Sequence, residues 1–127
     1  MGGTGLLDGE MAVPARHAVV ARYFEMWNTG DSSVAEQILC PDWTDHAHPE
    51  VTGPGSVRQA VGRLRAARPD LRFAITAILG DGDLVAAVGE VSRGPGSAAS
   101  RLVWLIRLED NRMAEMWTYH AAPSPEE

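Results

Sequence analysis

The apolar residues of this chain change period once, at Pro69-Asp70, and that change limits the fold more than any other feature. Ahead of it, apolar side chains recur every three or four residues, as one face of an α-helix requires. Beyond it they alternate, as the two faces of a strand do. Helices first and strands afterwards is an α+β layout, with the helices covering one face of a curved antiparallel meander. At 127 residues there is material for one core and not for two. Residues 13–121 are therefore expected to be a single domain, with 1–12 a flexible Gly-rich lead-in and 122–127 a flexible tail.

Pro14 suits the first turn of a helix, and PARHAVVARYFEMWN places Val20, Phe24 and Trp27 on one face with Tyr23 beside them. Asn28-Thr29-Gly30 punctuates its end. Asp31 or Ser33 can cap a second helix, Ser33 with Glu36 forming a capping box, with Val34, Ile38 and Leu39 inward and Pro41 as terminator. The extended piece DWTDHAHP follows, and after Gly53-Pro54-Gly55 a third helix runs from Ser56 to Arg68 with Val57, Ala60, Val61 and Leu64 as its stripe.

Strands are predicted over 71–79, 84–93, 101–108 and 113–120. In the first of them Leu71, Phe73, Ile75, Ala77 and Leu79 share a side. The last hairpin allows two registers. A two-residue loop pairs Glu109 with Arg112 and puts Glu115, Trp117 and Tyr119 on the face of Trp104 and Ile106. A longer turn pairs Leu108 with Arg112 and puts Ala114, Met116, Thr118 and His120 there instead. A slip of one residue exchanges the faces completely.

The net charge of −6 argues against nucleic acid as a partner, since that needs a basic footprint. All eleven basic residues are Arg, and Arg58, Arg63, Arg65 and Arg68 fall on the third helix, where a solvated face is the plain reading. Arg68 ends the apolar stripe, so it can meet a ligand carboxylate or satisfy the helix-terminal carbonyls. No run of about 18 apolar residues is present to cross a membrane. MGGTGLLDGE lacks the basic region of a secretory signal, and the single cysteine, Cys40, suits a reducing cytoplasm as a buried thiol.

Arg22-Tyr23-Phe24, Trp27-Asn28-Thr29-Gly30-Asp31, Pro41-Asp42-Trp43-Thr44-Asp45-His46, Gly53-Pro54-Gly55, Arg68-Pro69-Asp70, Gly82-Asp83 and 107–117 follow one another in a telling order. That ordered set resembles the SnoaL-like polyketide cyclases of the nuclear transport factor 2-like (NTF2-like) superfamily, over residues 14 to 120. The resemblance implies a cone-shaped sheet over three helices, one apolar internal cavity, a homodimer and cofactor-independent, metal-free chemistry. It also implies a His and an Asp flanking the Trp of the last strand and facing the cavity. Those positions here are Met116 and Thr118, which favours the second hairpin register. A thioether and a hydroxyl cannot exchange protons usefully near neutral pH.

Proton carriers must then be sought elsewhere. His46 matches the family's histidine at the cavity mouth, and His120 ends the inward face of the last strand. Glu90 lies inside a strand and would be a useful acid or base if it faced the cavity. His48 shares the extended segment with His46, and the two could also be read as a metal pair with Asp45 or His120. Tyr23, Trp27, Trp43 and Trp104, with His48, Met116 and Thr118, are the expected ligand wall, suited to an aromatic or polycyclic small molecule. Two functions follow as expectations. One is a cyclase, isomerase or dehydratase of a small hydrophobic intermediate in bacterial secondary metabolism. The other is a binding or resistance protein of the same fold.

Overall fold

A computed structural model describes residues 14–120. The segments 1–12 and 122–127, expected to be flexible, lie outside the described residues.

Helix α1 runs over Ala15–Thr29 and buries Val20, Tyr23, Phe24 and Met26. Gly30 closes it at φ 86°, donating its N–H to the Met26 carbonyl at 2.9 Å. That left-handed cap is the conformation only glycine adopts freely. A 3₁₀ turn at Ser32–Val34 leads into the one-turn helix α2, Ala35–Ile38. Of the two capping candidates the structure uses Asp31, whose carboxylate accepts from the Ser33 N–H at 3.2 Å. The chain turns extended at Leu39, two residues earlier than Pro41 suggests, and forms strand β1, Leu39–Asp45. Helix α3, Gly53–Ala67, buries Val57 and Val61.

Strands β2 (Arg72–Leu79), β3 (Leu84–Ser92), β4 (Ser100–Glu109) and β5 (Arg112–His120) form the expected meander. The sheet is mixed, which corrects the expectation of a purely antiparallel one. Its order is β1-β5-β4-β3-β2, and β1 lies parallel to β5, with Asp45 opposite Met116. A parallel partner must be distant in sequence, so no local pattern in DWTDHAHP announces it. Three helices therefore cover one face of an open, curved five-stranded sheet.

The register shifts in three of the strand pairs, and an extra residue in one strand curves a sheet; the shifts in β2 and in the last hairpin bear on the site. In β2 the register shifts between Ile75 and Ala77. Beyond that bulge Ile78 packs on the core while Leu79 is exposed, against the alternation read from the sequence. Gly89 sits opposite Ile75, and a Cβ there would lie 2.3 Å from the Ala74 carbonyl oxygen, so only glycine allows the strands to meet.

The second bulge resolves the hairpin. Asp110 and Asn111, at φ 52° and 62°, make the two-residue turn, and Glu109 pairs with Arg112. The register then shifts, so that Leu108 pairs with Met113 but Arg107 pairs with Glu115. Ala114 is the additional residue. Beyond it Met116 faces Ile106, Thr118 faces Trp104 and His120 faces Leu102, so the inward face is that of the second reading although its Leu108–Arg112 pairing is not made. The turn of one reading and the faces of the other coexist.

Asn28, in the last turn of α1, grips edge strand β2. Its side-chain N–H donates to the Phe73 carbonyl at 2.8 Å, and its Oδ1 accepts the Phe73 N–H at 2.8 Å. One amide thus satisfies two backbone groups that an edge strand leaves open.

Candidate functional site

Between the helices and the concave face of the sheet lies a cavity of about 570 Å³, within the range of small-molecule sites. Its deep wall is aromatic: Tyr23, Phe24, Trp27, Trp43, Phe73 and Trp104 all line it. Their rings support one another edge-on or tilted, with centroids 4.7 Å apart for Phe24 and Trp104 and 5.6 Å for Tyr23 and Trp43. Met116 and Thr118 line it too. The ligand wall read from the sequence is therefore assembled in one place.

The proton carriers are placed otherwise. His46 does not line the cavity. The Asp45 carboxylate accepts from the Ala47 N–H at 2.9 Å and the His48 N–H reaches the Asp45 carbonyl at 3.0 Å, so a tight turn ends β1 before His46. The turn directs His46 to the outer face, where it stacks on Trp117 at 4.9 Å and its Nε2 lies 2.7 Å from Glu115. Glu115 also accepts from Arg107 Nε at 2.6 Å. Bonds from His46 and then Arg107 hold the Glu115 carboxyl below its ordinary range. Glu90 is also on the outer face, 3.7 Å from Arg101, beside a smaller hollow of about 260 Å³. Alternation places it opposite to Gly89, which faces β2 and the interior. His48 and His120 do line the cavity, both at its exposed mouth, and His48 lies 3.7 Å from Glu50. The His46 and His48 side chains thus diverge, and among the described residues no group of three His, Cys, Asp or Glu converges as a metal site would need.

One carboxylate reaches the cavity wall from β1. Asp45 is 7% exposed, the one buried charged side chain among the described residues, and it lines the cavity with Trp43. Burial pushes its pKa up, against the Ala47 N–H bond and the charges of His48 and His46, which pull it down. Tyr23 is buried on the same wall. Burial, and after it the Asp45 charge, drives its pKa far above the ordinary range, so its phenol remains a hydrogen-bond donor. A sequence signal for Asp45 existed: in Trp43-Thr44-Asp45 it shares the face of a core tryptophan. Cys40 is buried, and burial and Glu109 raise its pKa, so it is no nucleophile.

At the mouth, Arg63, Arg68 and Arg93 also line the cavity. The Arg68 side chain bonds no helix-terminal carbonyl, and Arg65 donates to two carbonyls just past the helix, that of Leu71 at 2.7 Å and that of Pro69.

The model of the SnoaL-like domain family matches residues 20–116. No curated protein matches the chain. Among solved structures it is similar to a SnoaL-like polyketide cyclase from Agrobacterium tumefaciens, at 14% identity over 87% of this chain and 93% of that one, with a TM-score of 0.70. It is similar to TsrD from Streptomyces laurentii, at 19% identity over 84% and 87%, TM-score 0.69. An NTF2-like protein from Mesorhizobium loti aligns at 17% identity over 85% and 92%, TM-score 0.68. Identities this low speak for the fold and leave the reaction open.

Proposed function

This chain belongs to the SnoaL-like domain family, and from that premise we propose that it is a cofactor-independent cyclase, isomerase or dehydratase of a small hydrophobic carbonyl compound, polyketide-like or aromatic, in bacterial secondary metabolism. The observation that carries the proposal is Asp45, a buried carboxylate beside the aromatic deep wall of the cavity. A desolvated carboxylate is a stronger base than one in water, which suits removal of a proton beside a carbonyl. In the step we infer, Asp45 takes a proton from the carbon next to the carbonyl and the electron pair moves onto oxygen as an enolate. Tyr23 donates a hydrogen bond to that oxygen. The enolate carbon then attacks a second carbonyl in a ring closure, or is reprotonated elsewhere in an isomerisation, and Asp45 returns its proton. The rings of Trp27, Trp43 and Trp104 hold the chain in a reactive pose.

A non-catalytic binding or resistance protein is the second reading, favoured by the absence of a titratable group at Met116 and Thr118. The half-exposed apolar residues of the outer face, Val103 and Tyr119, support a homodimer, and the lone buried Cys40 supports a cytoplasmic setting.

Deuterium exchange into tetralone, an aryl ketone, tests the enzyme reading by mass spectrometry in D₂O. Wild-type protein is expected to accelerate exchange beside the carbonyl, and Asp45→Asn to slow it by about 100-fold or more. Wild-type rates in the variant would remove Asp45 from the mechanism. Binding of the ketone with no exchange above background would install the second reading.

A further inference from the structure

We propose that the mouth of this cavity is an oxyanion site, in which Arg63, Arg68 and Arg93 hold a carboxylate or phosphate ester at the end of a ligand whose apolar body fills the interior. The inference rests on the proposed reading of the cavity as a ligand site, and adds to it the charge of the ligand.

The distribution of arginine partners carries it. All eleven arginines lie within the described residues. Seven of them have an acceptor in the protein: a carboxylate for Arg16, Arg58, Arg101 and Arg107, an amide or carbonyl oxygen for the others. Four have a guanidinium group with neither hydrogen bond nor ion pair among the described residues: Arg63, Arg68, Arg93 and Arg112. Three of those four line the cavity, and none of the seven engaged arginines does. In a chain with seventeen acidic residues against eleven basic ones, carboxylates are plentiful, so a gathering of unpartnered guanidinium groups at one opening is specific to that opening.

The fold brings them there from separate elements. Arg63 lies in the last turns of α3 and Arg68 caps its C-terminal end. Arg93 follows β3, whose end is paired to the start of β2 through Arg72 and Ser92. The two segments touch: a Cβ on Gly94 would lie 3.1 Å from that of Asp70. Nevertheless, among the described residues no carboxylate comes within ion-pair distance of the three arginines. Glu50, an acidic residue at the same mouth, sits 3.7 Å from His48. Arg65 has taken over the carbonyls past the end of α3, which leaves Arg68 without a structural duty. Guanidinium groups are the side chains best matched to the paired oxygens of a carboxylate or phosphate. The opposite polarity inside, with Asp45 buried below an aromatic wall, sets the ligand's direction: anion at the opening, carbonyl within.

Calorimetric titration with three probes tests this: naphthaleneacetate, its neutral methyl ester, and naphthyl phosphate. At low salt the acid is expected to bind about tenfold more tightly than the ester. The preference should largely vanish near 1 M salt, where the screening length is about 3 Å. The triple variant Arg63→Gln/Arg68→Gln/Arg93→Gln should bind the ester as the wild type does, which shows that it is folded, and bind the acid no better than the ester. Tighter binding of naphthyl phosphate than of the acid identifies a phosphate ester as the natural terminus, and the reverse order a carboxylate. Equal binding of acid and ester by wild type, or a preference that survives in the variant, overturns the oxyanion site while leaving the cavity reading intact. Failure of every probe, ester included, overturns both.

Discussion

Replacing Asp45 by Asn should make the protein more stable and less active, and the two effects separate by pH. The carboxamide keeps the shape of the side chain, and its Oδ1 can still accept the Ala47 N–H, now 2.9 Å away. What disappears is a charge in a side chain only 7% exposed. Burial is the largest influence on Asp45 and raises its pKa, so the folded state binds that proton more tightly than the unfolded chain does. The associated stability is fully present below the unfolded carboxylate pKa, and is lost as pH rises through the folded one. At neutral pH the wild type therefore carries a desolvated charge that the Asp45→Asn change removes. Losing the charge weakens the Ala47 bond by about 1 kcal/mol, the gap between charged and neutral hydrogen bonds, whereas burial of the charge outweighs that bond. A net gain on the order of 1 kcal/mol follows, or a Tm rise of roughly 3–5 °C for a domain of this size. Urea denaturation at about pH 8 and about pH 4.5 measures it, and the gap should shrink at the lower pH. A variant less stable than wild type near neutrality, or a gap indifferent to pH, would refute the account of Asp45 as a charge held at a cost for its chemistry.

Four other perturbations follow, two from the strand contacts and two from the outer face. Asn28→Ala removes both bonds to Phe73 and should cost about 2–3 kcal/mol in urea denaturation. Asn28→Asp keeps one acceptor and should cost about half, and equal costs would show that the two bonds do not act separately. Gly89→Ala forces a methyl against the Ala74 carbonyl and should cost about 1–3 kcal/mol or more; a change under about 0.5 kcal/mol would mean that β2 and β3 can part freely. His46→Ala should leave tetralone exchange within about twofold of wild type, since a lost acid or base costs about 100-fold. Glu115→Gln should lower stability near neutral pH. Because the Glu115 carboxyl is held below its ordinary range, that contribution is present above the unfolded pKa, and the loss should fade as pH falls through the folded one.

The sequence carried the fold where patterns are local. Val20, Phe24, Val57 and Val61 repeat with helical spacing, and all four are buried. The strands after Pro69 alternate, and Val85, Ala87, Trp104 and Ile106 are interior. The misses come from bulges and from contacts distant in sequence. Leu79 alternates with Phe73 on paper, yet the bulge after Ile75 turns it outward. Two hairpin registers exclude each other in a strict ladder, and the additional residue at Ala114 lets the turn of one coexist with the inward face of the other. DWTDHAHP has the pattern of one extended segment, whereas the Asp45 carboxylate folds the residues after it into a turn by capping Ala47. The aromatic wall was legible because large rings at core spacing have few other places to go. The His-x-His spacing draws Asp45 into a possible metal site, whereas its spacing from Trp43 puts it on the buried face.

The pairing of β1 with β5 sets the Asp45 carboxylate on the same wall as the inward residues of the last strand. Asp45 and Met116 are direct partners across parallel strands, and both line the cavity. Neighbouring strands lie about 4.8 Å apart. An acid at 45 is therefore displaced by one strand from an acid at 116, on the same wall and beneath the same rings. If Asp45 acts as the base, the wall and not the strand is what the chemistry needs. The carboxylate should then be movable. Met116→Asp, introduced into the Asp45→Asn protein, places it in a site only 3% exposed, where burial again favours the protonated form and strengthens the base. Tetralone exchange should rise at least tenfold over the Asp45→Asn single variant, without reaching wild type, because the substrate pose is matched to position 45. Circular dichroism and ester binding check that the double variant is folded and its cavity open. A folded, ligand-binding double variant with no gain in exchange would show that the position of Asp45, and not only its desolvation, decides whether the proton moves.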